Sequence, residues 1–367
     1  MPDHLAPTPA HNPVLIFDWG NTVMKVFPQY TGPMATWPEV AEVDGVVEAL
    51  EKLKDHYQMV IASNAGDSRA PEVWNALRRV GLAEYFQAVF TSNELGSQKP
   101  HLDFFRQLEN VLSRPAHELV MIGDDYIADV LGAKQAGWLA TWYNPSRQPA
   151  PGLLPLHNAE IADLRRLPGQ LQQPLLPDYS TCLAWLIETG TPYNILQHVQ
   201  LVASVAYLLA CWLHASGEYV QPLLVHRGGL LHDLKKMESI HQRNQPDPAA
   251  RPIPDHARLA RDMLIERAQP DLAEIADRHM PASQVRLDRL PITWEQKLVH
   301  FADKLAEGSR LVSLEERLAA LKDRYPEFAG ELHDSQPFLY KLQAELCARL
   351  ELTPTTLIKQ LRQSLSA

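Results

Sequence analysis

The chain has 367 residues, of which 46% are hydrophobic and 21% are charged. These are values of globular proteins, and the length allows two domains of ordinary size. A formal net charge of -10 argues against broad electrostatic attachment to nucleic acid or to an anionic membrane, and three cysteines without a Cys-x-x-Cys pair argue against a disulfide framework or a zinc knuckle.

Targeting signals are not visible in the sequence. Residues 1–13 lack both the basic start and the apolar block of a signal peptide. No apolar run approaches the roughly 18 residues needed to span a bilayer. We therefore expect a cytoplasmic protein that does not enter a membrane, and the composition leaves its oligomeric state open.

The first half of the chain alternates between short apolar runs and helical patterns. The runs, in chain order, are VLIF, MVIA, AVFT, LVMI and LATWY, and helical stretches at 46–57 and 101–112 lie among them. Continuous apolar runs are typical of strands buried on both faces, so the sequence predicts a parallel sheet in an α/β Rossmann-like three-layer domain. Ligands of such a sheet gather beyond the carboxyl ends of its strands.

The second half has a different pattern. Residues 144–177 are rich in proline, leucine and glutamine, with a short helix predicted near 159–167. Further on, apolar residues recur at helical spacing, as in Ile195, Val199 and Val202. The predicted divisions are an α/β domain, a linker and an all-α domain with C-terminal helices, at 1–172, 173–179 and 180–367.

Polar groups follow the predicted strands of the first half. They are Asp18, Ser63, Lys99 and the acidic cluster Asp124, Asp125 and Asp129. An aspartate nucleophile that attacks phosphorus needs a hydroxyl to orient the phosphoryl oxygens, a lysine to offset negative charge and carboxylates to hold Mg²⁺. The order and types of these residues supply each part, so we expect Asp18, Ser63 and Lys99 to be catalytic.

This arrangement resembles the haloacid dehalogenase (HAD) superfamily, with its four motifs in order across about residues 13–145. The resemblance implies a Mg²⁺ site at Asp18, Asp124, Asp125 and the backbone carbonyl of Gly20. The short intervals between Asp18, Ser63 and Lys99 leave no room for a large cap, so a capless domain with an open site is expected.

Gly20 departs from the pattern of the superfamily's phosphatases. Those enzymes carry a second aspartate here, which protonates the leaving group and later activates water. Glycine cannot do this, and "DWGNT" is closer to the superfamily's dehalogenases and phosphonatases. Phosphatase activity at Asp18 is therefore expected to be weak or altered.

Histidine and aspartate residues recur along the helical half. They are His198, the adjacent pair His232 and Asp233, His256, His279 and Asp303. Imidazole and carboxylate groups that converge from several helices bind transition metals. The pattern resembles the HD-domain metal-dependent phosphohydrolases over about residues 180–325.

The HD resemblance implies roles for these side chains. The core metal ligands would be His198, His232, Asp233 and Asp303, and His256 with His279 would complete a second metal site. Asp233 would bridge two transition metals such as iron or manganese, and Lys236 would contact substrate phosphate. Arg310 is predicted to lie about two helical turns past Asp303 on the same face.

The expected function is metal-dependent hydrolysis of a phosphoester or phosphoanhydride, in a nucleotide-like substrate, by metal-activated hydroxide at the HD site. One alternative takes the same ligands as a di-iron oxygenase site. In the other, the HAD-like domain is a regulatory phosphate-binding module. A nucleic-acid end is a further substrate that the open first site would admit.

Overall fold

The computed structural model describes residues 12–243, 255–280, 291–324, 326 and 329–366. The N-terminal residues 1–11, which enter the signal-peptide argument, lie outside this part. The chain forms two compact units, residues 1–146 with 156–175 and residues 147–155 with 176–367.

Residues 147–155 pack with the helical unit, although the sequence-based boundary places them in the α/β domain. Arg147 donates a hydrogen bond from Nη1 to the carbonyl oxygen of His214 at 2.8 Å. The backbone N–H of Ala150 donates to the hydroxyl of Tyr207 at 2.9 Å. Both partners are far away in sequence, so local composition cannot reveal these contacts. The domain boundaries themselves stay a prediction.

A six-stranded sheet forms the centre of the first unit, in the order β3-β2-β1-β4-β5-β6. All its neighbouring strands are parallel. The strands β1 to β6 are Val14–Phe17, Met59–Ser63, Ala88–Thr91, Leu119–Gly123, Leu139–Tyr143 and Ala159–Ile161. Strands β1, β2 and β4 are buried along their whole length, as expected when both faces of a parallel sheet are covered. The predicted α/β class is confirmed.

The sixth strand corrects the helix predicted near 159–167. Ala159–Ile161 pairs in parallel with β5, so that Thr141 lies opposite Ala159 and Tyr143 lies opposite Ile161. Only after a single turn at Leu164–Arg166 does a short helix begin. A strand of three residues is too short for its alternation to be recognised without the neighbouring strand.

Helices α1, α2 and α4 of the first unit bury one face each. In α1 the buried positions Val46, Ala49, Leu50 and Leu53 follow the helical repeat. The helices α1 to α6 are Val46–Leu53, Ala70–Arg79, Ser92–Leu95, Leu102–Leu112, Gly132–Gln135 and Leu167–Gln170. The first ends four residues before the predicted end at Tyr57, because residues 54–56 form turns.

The segment between β1 and α1 is small. Residues 18–45 hold isolated bridges from Met24 to Gly20 and Glu42 and a short turn at Met34–Thr36. No inserted domain is found in this segment, all of which is described. The carboxyl end of β1 is therefore not covered by a cap that inserts here, as the sequence spacing predicts.

The second unit is helical in its described part. Its helices α7 to α16 are Tyr179–Glu188, Tyr193–Ala215, Pro222–Leu231, Lys236–Arg243, His256–Glu266, Pro270–Asp277, Trp294–Asp303, Leu314–Arg324, Ala329–Arg349 and Pro354–Leu365. After α13 the chain makes an antiparallel pair, β7 at Ala306–Glu307 and β8 at Arg310–Leu311.

Helix α8 differs from the expectation that no segment is long and apolar enough to span a bilayer. It has 23 residues, its best 18-residue window has a mean hydropathy of 1.5, and 61% of that window is buried. By length and composition alone, α8 could therefore span a bilayer, which corrects that expectation. Buried residues such as Val199 and Val202 place α8 in the hydrophobic core of the helical unit.

Candidate metal centres

The carboxyl ends of three adjacent strands bring together the predicted residues of the first unit. Asp18 follows β1, Ser63 ends β2, and Asp124 follows β4. Because β2, β1 and β4 are neighbours in a parallel sheet, their carboxyl ends lie at one edge. Oxygen atoms of Asp18, Asp124 and Asp129 lie within 4.8 Å of one another, a group that could hold a metal ion.

Lys99 is the cation of this site. Its buried Nζ lies 2.6 Å from Oδ1 of Asp18 and 2.5 Å from Oδ1 of Asp129. Asn64, next to Ser63, holds the lysine backbone from both sides: the N–H of Lys99 donates to Asn64 Oδ1 at 2.8 Å, and Asn64 Nδ2 donates to the carbonyl of Lys99 at 2.8 Å. The lysine predicted from sequence is thus aimed at the predicted nucleophile.

Asp125 and Asp129 of the acidic cluster have different contacts. The side chain of Asp125 caps the π-helical turn that follows, since its Oδ1 accepts hydrogen bonds from the N–H groups of Ile127 and Ala128, both at 2.9 Å. Asp129 belongs to the carboxylate group with Asp18 and Asp124. Asp125 as a Mg²⁺ ligand stays a prediction.

Glycine at position 123 makes room for Asp129. A Cβ atom there would lie 2.1 Å from Oδ2 of Asp129. That same Oδ2 accepts a hydrogen bond from the N–H of Asp125 at 3.1 Å. The sequence signal for Asp129 is therefore the whole pattern "GDDYIAD", in which the glycine and the last aspartate act together.

The three carboxylates crowd negative charge into a buried place. Burial, and to a smaller extent the negative charge of Asp18, raise the pKa of Asp124 to about 6. Burial also raises the pKa of Asp129, although Lys99 opposes it. Burial lowers the pKa of Lys99, but Asp129 and Asp18 outweigh it and hold that pKa above its usual value. A divalent cation would relieve this crowding, so the residues fit Mg²⁺.

A cleft of about 270 Å³ opens beside Asp18 and is lined by Ser63, Gly20 and the loop after β2. Its other wall includes Met34 and Trp37. Gly20 gives this cleft no side chain, and a Cβ atom there would meet Cγ2 of Val26 at 3.0 Å. The cleft can hold a phosphoryl group beside Asp18, without an acid at position 20.

Helix ends bring together the six predicted ligands of the second unit. His198 lies in the second turn of α8, His232 and Asp233 follow α9, and His256 begins α11. His279 follows α12 and Asp303 ends α13. The ligand atoms of His198, His232 and Asp233 form one group within 4.8 Å, and those of Asp233, His256 and His279 form another. We call these the first and second ligand groups.

Asp233 belongs to both groups and divides its oxygens between them. Its Oδ1 lies 3.1 Å from Nε2 of His256 and 3.3 Å from Nε2 of His279. Its Oδ2 lies 3.6 Å from Nε2 of His232. A carboxylate placed in this way can bridge two metal ions.

Asp303 lies beside the first ligand group. Its Oδ1 is 3.0 Å from Nε2 of His198 and 3.8 Å from Nε2 of His232. The first group can therefore offer two imidazoles and two carboxylates. Nitrogen and oxygen donors of this kind suit transition metals.

Backbone carbonyls orient three of the imidazoles. Nδ1 of His198 donates to Gly308 at 3.2 Å, that of His232 to Gly229 at 2.7 Å, and that of His279 to Ala276 at 2.6 Å. In His232 and His279 the proton on Nδ1 leaves a lone pair on Nε2, as in histidines that bind metals through Nε2, whereas Nε2 of His198 donates to Oδ1 of Asp303 at 3.0 Å.

Two buried nitrogens test whether the residues fit metal ions. The Nε2 atoms of His232 and His279 are buried and find no hydrogen-bond partner among the described residues. A buried polar atom without a partner is costly. Both atoms point to the ligand groups, so a metal ion would satisfy them.

The pKa directions of four ligands agree with metal binding, whereas burial lowers the pKa of His198 but its contacts with Asp303 outweigh that effect and raise it. Burial lowers the pKa of His232 to about 3, and burial together with Lys236 lowers that of His256 to about 4. Burial would raise the pKa of Asp233 and Asp303, but neighbouring cations, first Lys236 and Lys304, hold both well below the usual range. Neutral imidazoles and ionised carboxylates are the forms that bind metals.

Two lysines lie beside the ligand groups of the helical unit, and one of them, Lys236, was predicted from the sequence. Nζ of Lys236 lies 3.3 Å from Oδ1 of Asp233 and 3.4 Å from Nε2 of His256. Lys304, which was not predicted, pairs with Asp303; its only signal is its place directly after the ligand in "ADKL". Arg310 is not on a helix face, because α13 ends at Asp303 and Arg310 lies in β8.

The fold and the two sites define a class: an α/β unit with carboxylates at the carboxyl ends of its strands, followed by a helical unit with histidine and aspartate ligands. The profile of the haloacid dehalogenase-like hydrolase family matches residues 15–142, and that of the HD domain matches residues 195–308. The chain joins a HAD-like hydrolase domain to an HD domain.

Known proteins similar to this chain match about a third of its length or less. YfnB of Bacillus subtilis is 31% identical over 127 residues, 34% of this chain and 52% of YfnB. Glyceraldehyde 3-phosphate phosphatase of Pyrococcus abyssi is 28% identical over 103 residues, 28% of this chain and 42% of that protein. This chain therefore spans about half the length of the curated relatives it matches.

One solved structure is also similar. It is an uncharacterized protein from Listeria monocytogenes serotype 4b, with 30% identity, a TM-score of 0.39, and coverage of 43% of this chain and 96% of that chain.

Proposed function

We propose that the protein is a metal-dependent phosphohydrolase whose main catalytic site is the HD domain. Its substrate would be a small phosphorylated molecule, nucleotide-like, in which a phosphoester or phosphoanhydride bond is hydrolysed. The observation that carries this proposal is that the two oxygens of Asp233 face two different groups of imidazoles. Two of these imidazoles, those of His232 and His279, have a buried Nε2 atom without a hydrogen-bond partner among the described residues.

The residues of the HD site would share the work. The first ligand group with Asp303 would hold one metal ion, and the second group the other. Bound transition metals would supply Lewis acidity and an activated water as the nucleophile. Lys236 is one-third exposed, so its ammonium can contact both the bridging carboxylate of Asp233 and the phosphate of a substrate.

The HAD-like domain would bind Mg²⁺ and phosphate but turn over slowly. Asp18 would be the nucleophile and Lys99, which pairs with it, would offset its charge, while Ser63 lines the same cleft. Gly20 cannot protonate a leaving group, a contribution that is commonly worth roughly 10²–10⁴-fold. A similar protein is named for a phosphatase of glyceraldehyde 3-phosphate, which supports a small phosphorylated substrate here.

The test is metal content of the purified protein together with phosphate release from a panel of nucleotides and p-nitrophenyl phosphate. Wild type would be compared with Asp18→Asn and Asp233→Ala. About two transition metals per chain and activity lost only in Asp233→Ala would support the proposal. Activity lost only in Asp18→Asn would overturn it and assign the reaction to the HAD-like domain.

A further inference from the structure

Lys304 is a buried cation between the two ligand groups. It is 3% exposed and lies directly after Asp303. Its Nζ donates one hydrogen bond to Oδ2 of Asp303 and another, at 3.4 Å, to the backbone oxygen of His279. One ammonium group therefore contacts a side chain beside the first ligand group and the backbone of a ligand in the second.

The contact with Asp303 determines which oxygen can face a metal. Oδ1 faces His198 at 3.0 Å and His232 at 3.8 Å, while Oδ2 is occupied by Lys304. Rotation of the carboxylate would break a buried ion pair, which is costly because it leaves an uncompensated charge. Asp303 is thus held so that one oxygen alone is available.

The contact with His279 acts on the second group. The imidazole of His279 is oriented from one side by its Nδ1–H bond to Ala276, and its main chain is held from the other by Lys304. Any shift of Asp303 would therefore move a group that also anchors His279. The two ligand groups share Lys304 as well as Asp233.

A lysine of α13, the helix that ends at Asp303, provides a comparison. Lys297 is 21% exposed at its side chain and pairs with Glu345 at 3.2 Å, away from the ligands. A salt bridge at such a position contributes little. Burial of an ammonium group costs far more free energy, and the ion pair with the carboxylate of Asp303 offsets that cost for Lys304.

We propose that Lys304 is a positioning residue, which holds Asp303 to one-oxygen coordination and ties the two ligand groups into a single di-metal site. This inference rests on the proposed metal centre of the HD domain. It does not depend on which bond that centre hydrolyses.

The experiment is a titration of the metal-free full-length protein with Mn²⁺, followed by calorimetry, for Lys304→Met, Lys304→Arg and the control Lys297→Met. Outer-shell partners of metal ligands are commonly worth about 10–100-fold in affinity, and a loss in that range is expected for Lys304→Met. Lys304→Arg keeps the charge and should recover most of it, while Lys297→Met should bind as wild type does.

A double-mutant cycle separates positioning from a general effect on folding. If Lys304 acts mainly through Asp303, then Lys304→Met costs clearly less affinity in the Asp303→Asn background than in wild type, and the remainder reflects the contact with His279. Additive losses would overturn the proposal, as would an unchanged affinity in Lys304→Met. Circular dichroism and thermal melts of the metal-free variants report on the fold.

Should Lys304→Met not fold, Lys304→Gln takes its place, since the amide keeps a donor without the charge. Loss of the metal-free fold in both variants would also overturn the proposal, because the lysine would then be needed for folding alone. All these measurements use Mn²⁺ without substrate. A failed phosphate-release assay would therefore reject the proposed function without deciding the role of Lys304.

Discussion

Asp233 and His256 meet with 3.1 Å between Oδ1 and Nε2, while the second oxygen of the same carboxylate faces the other ligand group. Because Asp233 serves both groups, Asp233→Ala should lose both metals, whereas His256→Ala should lose one. Metal content after dialysis against a weak chelator measures this. Equal losses in the two variants would show that the groups do not form separate sites.

Asp125 and Asp129, two of the three aspartates of "GDDYIAD", should differ in their effect on Mg²⁺ binding. Asp129→Asn is expected to weaken Mg²⁺ binding by the first unit, because Asp129 belongs to the carboxylate group with Asp18 and Asp124. Asp125→Asn should bind Mg²⁺ nearly as wild type. Isothermal titration with Mg²⁺ is the measurement, in the Asp233→Ala background to remove the HD site.

Loss of the helix cap at Asp125 should lower the stability of the protein. Removing it altogether, in Asp125→Ala, should cost about 0.5–2 kcal/mol of stability, as for other N-cap residues. Denaturant unfolding of the same protein measures this. A Mg²⁺ affinity that falls in Asp125→Asn as far as in Asp129→Asn would contradict the arrangement seen here.

An acid at position 20 should restore phosphatase chemistry at Asp18. A Cβ atom at position 20 would meet only Cγ2 of Val26, an exposed residue whose side chain can shift, so we expect the chain to accept Gly20→Asp. Release of phosphate from an alkyl phosphate, whose leaving group needs a proton, should rise by up to about 10²–10⁴-fold. Steady-state kinetics of Gly20→Asp measures it in the Asp233→Ala background.

Gly20→Asn is the matched control, with the same size and no acid. It should remain as slow as the parent, and Asp18→Asn should abolish the gain. If Gly20→Asn were equally active, the increase would come from shape rather than from proton transfer.

Gly229 should be required for packing in the helical unit. A Cβ atom there would lie 2.6 Å from Cα of Ala203, so α9 can approach α8 this closely only with glycine. The carbonyl of Gly229 also orients His232. Gly229→Ala should destabilise the unit by about 1–3 kcal/mol, the usual range for overpacking, and weaken metal binding.

Gly330 provides the control in the same unit. It lies in α15 with nothing within 4 Å of its Cβ position, so Gly330→Ala should be neutral or stabilising. Thermal and urea unfolding of the two variants would be compared. Equal stability of Gly229→Ala and wild type would mean that α8 and α9 can separate without cost.

The sequence by itself determined five of the strands, the order of both sets of polar residues and the division into α/β and helical halves. These are local patterns: a continuous apolar run marks a buried strand, and a histidine or aspartate in a recognisable motif keeps its meaning without knowledge of its neighbours. In the structure Asp18 lies beside Lys99, and the six histidine and aspartate side chains of the helical half lie beside one another.

Only the tertiary structure decided how individual atoms are used. It showed that Asp125 caps a helix while Asp129 faces Asp18, that Asp233 divides its oxygens, and that Lys304 occupies one oxygen of Asp303. It also showed the short strand β6, which is recognisable only beside β5. The strand β6 and the sharing of Asp233 depend on groups that are distant in sequence, and even the local contacts of Asp125 and Lys304 depend on how the chain packs around them.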